Sequence, residues 1–76
     1  MASELLTLPQ APAPDILEAL LTPEQTARIE VRRGLDAEGR ERVQLTLHHA
    51  DPEVVATARQ ALLERCQRAR IRAFVV

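Results

Sequence analysis

Between residues 28 and 49 apolar side chains recur at alternate positions on both sides of a single turn glycine, and few chain paths satisfy that pattern. Ile29, Val31 and Leu35 share one parity, as do Val43, Leu45 and Leu47. Alternation with polar residues marks strands that each bury one face. A three-residue loop, Ala37-Glu38-Gly39, sets Asp36 opposite Arg40 and apolar residues opposite apolar ones; a four-residue loop opposes apolar to polar throughout. Gly39 supplies the left-handed residue such a loop wants. The register then pairs Ile29 with Leu47 and Val31 with Leu45. On the other face it pairs Arg28 with His48, Glu30 with Thr46 and Arg32 with Gln44. A helix from Pro23 to Gly34, supported by Glu24 and Arg28 at i,i+4, is the competing reading, but it leaves the alternation unexplained.

The flanks supply helices. Asp51-Pro52-Glu53 is a helix start, with an acidic N-cap and proline at the first position. Val54, Val55, Ala58, Ala61, Leu62, Cys66 and Ala69 then form one apolar arc at 100° per residue, predicting a helix over 52–68. Upstream, Asp15 and Glu18 have the spacing of a capping box. Ile16, Leu17, Leu20 and Leu21 follow at helical spacing until Pro23 stops them, and a turn is expected there. Residues 71–76 alternate as a final strand, with Ile71, Ala73 and Val75 toward the helices and Phe74 and Val76 on the opposite face, or flipped, with Phe74 buried and Ile71 and Val75 outward. Residues 1–14 read as a short edge strand, with Leu6 and Leu8 on one face, or as an extended Pro-rich segment; residues 15–76 read as one α+β domain.

The order is therefore (β)αββαβ, a small antiparallel sheet with two helices on one face. With the first strand it is similar in topology to ferredoxin-like domains; without it, the remainder is similar to the ring-building modules of secretion systems. Both are likenesses of topology, and no sequence motif accompanies either.

Seventy-six residues allow one domain. Chains this short bury only about 60% of the surface they expose when unfolded. With one Cys and two His, neither a disulfide nor a structural zinc site compensates, so association with a copy or a partner is expected. Ten Arg, no Lys and eleven acids give a net charge of −1, which excludes a strongly basic polyanion-binding tail. Exclusive use of Arg is a bias of the kind GC-rich coding produces in bacteria, and it carries little functional weight. Neither a basic leader with an apolar stretch nor a run long enough for a membrane span is present. The expected setting is cytoplasmic, without a membrane partner, and an unpaired thiol fits that compartment.

Candidate chemistry is sparse. Cys66 lies in the apolar arc and reads as a buried small hydrophobe. His48 and His49 point to opposite faces of one strand and cannot clasp one metal. His49 falls near Asp51, where local hydrogen bonding is its expected role. His48 lies on the polar face beside Arg28, with no Ser, Cys or carboxylate placed by sequence to work with it. Gly34 and Gly39 are the only glycines, so there is no phosphate-cradling loop. No catalytic, cofactor-binding or metal-ligating residue is assigned, and an enzyme is not expected.

Charge is asymmetric: residues 1–25 carry four acids and no base, whereas residues 59–76 carry five Arg and one acid. On the helical wheel Arg59 and Arg70 flank one side of the apolar arc and Arg65 and Arg68 the other. They are expected to cover the core edge and pair with the acidic N-terminal half. An RNA-binding sheet would carry aromatics where Gln44 and Thr46 stand. The sequence thus points to a non-enzymatic interaction or assembly module, acting as a homodimer or on a protein partner through Phe74, Val76, Arg72, Arg28, Arg32 and His48. The alternative is a small nucleic-acid-binding regulator using Arg28, Arg32, Arg65, Arg68, Arg70 and Arg72.

Overall fold

A computed structural model describes residues 1–76 as β1 (Ala2–Leu8), α1 (Pro14–Leu21), β2 (Arg28–Leu35), β3 (Glu41–His49), α2 (Pro52–Arg68) and β4 (Phe74–Val75). The strands form one antiparallel sheet in the order β2-β3-β1-β4, which is compatible with ferredoxin-like topology. The hairpin has the register its alternation predicts, with Ile29 opposite Leu47, Val31 opposite Leu45, Arg28 opposite His48 and Arg32 opposite Gln44. At its tip the Asp36 N–H donates to the Arg40 carbonyl at 2.9 Å and the Gly39 N–H to the Asp36 carbonyl at 3.1 Å. Gly39 is left-handed at φ 80°.

β1 is an interior strand rather than the edge strand the sequence suggests. It lies between β3 and β4, where Leu6 and Leu8 face Leu45 and Val43 and extend the apolar row of β3 across the sheet. Edge and interior strands differ in what lies beside them, which a short alternating run does not encode. The helix before β2 also starts differently. Its N-cap is Ala13, with no side-chain cap, so the Asp15 capping box does not form. Pro14 occupies the first turn instead, where its missing N–H costs nothing, and Asp15 follows where a negative charge suits the helix dipole. Pro23 ends α1 as expected; the Thr22 N–H and hydroxyl both bond the Glu18 carbonyl, at 2.9 and 2.7 Å.

α2 begins at Asp51, whose carboxylate accepts the Glu53 N–H at 2.9 Å. It ends in a Schellman closure: the Ile71 N–H bonds the Cys66 carbonyl at 2.8 Å and the Arg70 N–H the Gln67 carbonyl at 3.1 Å. That geometry puts Arg70, a non-glycine, at φ 58°.

The core lies between α2 and the two central strands. Leu6, Leu8, Val43, Leu45 and Leu47 of the sheet meet Val55, Ala58 and Leu62 of α2, with Leu17 of α1 at one side. Burial of β2 is much less than its alternation implies, with Val31 43% and Leu35 68% exposed. The reason is helix length: α1 has only eight residues and packs on α2, while α2 covers β1 and β3. The final strand is also shorter than expected. Ile71 and Ala73 pack against the core outside any strand; Phe74 and Val75 form the strand beside β1, and the Val76 N–H adds one bond to Leu5. No helix is long and apolar enough to cross a membrane.

Candidate interaction surface

Residues directly opposite in antiparallel strands share a face, so the pairings define the sheet surface away from the helices. One row runs Phe74, Thr7, Gln44, Arg32 across all four strands; another runs Leu5, Thr46, Glu30; a third runs Ser3, His48, Arg28. Val76 continues the second row, its N–H bonding the Leu5 carbonyl at 3.0 Å. At the usual strand spacing, Phe74 and Arg32 stand about 14 Å apart. The candidate residues therefore share one face but fall into two groups. Phe74, Val76 and Arg72 gather at the β4 edge, Arg28, Arg32 and His48 on the β2–β3 side, and Thr7, Gln44 and Thr46 separate them.

At the β4 edge Phe74 is 49% and Val76 75% exposed. The Arg72 guanidinium carbon lies 5.7 Å from the Phe74 ring centroid, within cation–π range. The pairing follows the expected parity, with Val75 opposite Leu6 and Phe74 opposite Thr7, but Val75 is as exposed as Phe74, at 49%.

On the other side, His48 has company that sequence spacing does not reveal. Ser3 Oγ lies 2.7 Å from His48 Nδ1, and Glu30 Oε1 lies 3.6 Å from Nε2, which has no hydrogen-bond partner. Arg28 also reaches Glu30 Oε1, at 3.1 Å. Ser3 became visible only through the β1–β3 register, so the expectation that His48 lacks a nearby hydroxyl or carboxylate is corrected. The line Ser3–His48–Glu30 resembles a hydrolytic arrangement in composition alone. It lies on flat sheet, and none of the three surface depressions includes any of its members. The Ser3–His48 hydrogen bond links β1 to β3, and Glu30 of β2 lies beside the ring without bonding it.

The other candidates scatter. His49 Nδ1 accepts the Asp51 N–H at 2.9 Å, the local role its position suggested. Cys66 is buried, and burial pushes its thiol up against the opposing pull of Arg65. Of the arginines in the nucleic-acid reading, Arg28 and Arg32 lie on the open sheet and Arg72 against Phe74. Arg65 donates to the Leu20 carbonyl at 3.0 Å, closing the C-terminal end of α1, and Arg68 and Arg70 are exposed at the end of α2. Arg59, outside that set, pairs with Glu4. No group of three or more His, Cys, Asp or Glu is placed to hold a metal ion.

Comparison with known proteins adds no relative: no family model, no curated protein and no solved structure matches this chain.

Proposed function

We propose that this chain is a non-enzymatic assembly module that binds another protein or a copy of itself through the open face and edges of its sheet. The observation that carries the reading is the β4 edge, where the only aromatic residue stays half-exposed beside Val76 with Arg72 stacked on it. An aromatic beside an arginine is the composition enriched at the centres of protein interfaces. A cytoplasmic, reducing setting suits the unpaired Cys66. Nucleic-acid binding draws less support, because its arginines are divided between the sheet face, the α1 end and the α2 end.

The test is sedimentation across protein concentration, with affinity capture from the native host, on wild type and Phe74→Arg. Association or capture lost in a still-folded Phe74→Arg supports the reading. A wild type that stays monomeric and captures nothing, yet binds generic DNA or RNA with steep salt dependence, overturns it in favour of the nucleic-acid alternative.

A further inference from the structure

We infer that β2 pairs antiparallel with β2 of a second copy, about a two-fold axis at Val31, joining two sheets into one. This rests on the assembly reading but uses the edge opposite Phe74. β2 is an outer strand of eight residues with no proline. Its backbone alternates: Asp36 bonds Arg40 across the hairpin, so even-numbered residues of β2 point their N–H and C=O groups toward β3. Ile29, Val31 and Arg33 therefore present theirs along the free edge. A symmetric pair centred on Val31 would satisfy them with about six backbone hydrogen bonds. Long unpaired edges of this kind are templates for another strand.

Side chains select the register. Centring on Val31 places Glu30 of each copy opposite Arg32 of the other, and Arg28 opposite Gly34. Arg32 forms no ion pair within its own chain, and nothing lies within 4 Å of where a Gly34 side chain would begin, which leaves room for Arg28. Shifting the axis by one residue opposes Glu30 to Glu30 or Arg32 to Arg32, and like charges directly opposite repel. A shift to Ile29 avoids that clash but leaves only residues 28–30 of the strand paired.

The helix-side surface fits the same register. The two Val31 side chains meet there, and each Leu35 lies just beyond the end of the other copy's β2. Val31 and Leu35 are the apolar side chains of β2 that the short α1 leaves uncovered. Arg33, the one charge on that side of β2, is held back by Glu41 of its own hairpin at 3.4 Å.

The experiment is sedimentation velocity over concentrations up to about 1 mM on wild type, Arg32→Glu, Glu30→Arg, the double exchange, Val31→Pro and Phe74→Arg, with circular dichroism confirming the fold of each. Each single reversal creates two like-charge oppositions by symmetry and is expected to weaken dimerisation about tenfold. The double exchange should restore it. Val31→Pro removes an outward N–H without touching the β2–β3 ladder and should leave a folded monomer. A monomeric wild type overturns the inference, as does a dimer indifferent to the single reversals. A dimer broken by Phe74→Arg but not by the β2 variants also overturns it, while leaving the assembly reading intact.

Discussion

Glu4 of β1 and Arg59 of α2 form the one side-chain ion pair between sheet and helix layer, with Nη1 2.6 Å from Oε2 and both side chains about two-thirds buried. Glu4 stands opposite Leu47 on the helix-facing side of β1, which otherwise carries Ala2, Leu6 and Leu8. The charge is tolerated because Arg59 answers it at the margin of the core. A partly buried, charge-assisted hydrogen bond contributes about 1–2 kcal/mol net. Glu4→Ala and Arg59→Ala should each destabilise the domain by about that much in urea unfolding. The double variant should cost less than the sum of the two, and strict additivity would show that the pair contributes nothing.

Two residues hold left-handed backbone, and they should respond to substitution in opposite directions. Arg70 at φ 58° occupies the position where Schellman closures favour glycine. Arg70→Gly removes steric strain of about 1–2 kcal/mol and gives back part of it as unfolded-chain entropy, so a net gain of about 0.5–1 kcal/mol is expected. Gly39→Val introduces the same strain at the hairpin tip and should cost about 1–2 kcal/mol. Gly34 lacks positive φ and has open space around it, so Gly34→Ala should be neutral or slightly stabilising. Thermal melts of the three variants check the ranking.

Glu24 organises the turn between α1 and β2. Its Oε1 accepts the Thr26 N–H at 2.9 Å, the Thr26 hydroxyl at 2.7 Å and the Ala27 N–H at 3.0 Å. Desolvation alone would raise its pKa, but the Ala27 N–H, Thr26 and Arg65 together outweigh it and hold the carboxyl below its ordinary value of 4.5. A folded pKa below the unfolded one means the ionised form stabilises the fold. That contribution is complete above about pH 4.5 and is lost as pH falls through the lower folded value. Asp36 behaves in the same sense: the Arg40 N–H is the chief cause of its lowered pKa, and the Glu38 N–H and nearby arginine charges add to it. Glu24→Gln should therefore lower stability by about 1 kcal/mol near neutrality and flatten its decline in acid. An unchanged acid slope would show that the turn gains nothing from the charge.

The hairpin was legible in the sequence because two constraints met in it: apolar alternation and one glycine able to adopt positive φ. The α2 start was equally legible, since Asp51 and Pro52 act on their own backbone. What stayed hidden depends on neighbours distant in sequence. The interior position of β1 follows from β3 having an apolar edge to extend, so the Ser3–His48 contact could not be read from residues 1–14. The exposure of Val31 and Leu35 follows from α1 stopping at Leu21, short of β2. Alternation gives the face to which a side chain points, and the length of the covering helix decides whether that face is buried.

Cys66 reports on the whole fold. It is buried on the inner face of α2, one turn from the fully buried Leu62, and its thiol is made less acidic by that burial. Alkylation needs both access and thiolate, so labelling should proceed only through molecules that have opened. For a chain of this length, stability of about 4–11 kcal/mol follows from typical values per residue. That range implies labelling at least about a thousandfold slower than in denaturant. Leu62→Ala leaves a cavity in the core and should cost about 2–5 kcal/mol, so it should accelerate labelling in proportion to the lost stability. Phe74→Arg, altering a half-exposed residue on a two-residue edge strand, should change the rate little. Mass spectrometry during timed exposure to iodoacetamide measures all three. Fast labelling of wild type, with its circular dichroism intact, would instead place the opening at the end of α2, where Arg70 sits at positive φ four residues from Cys66.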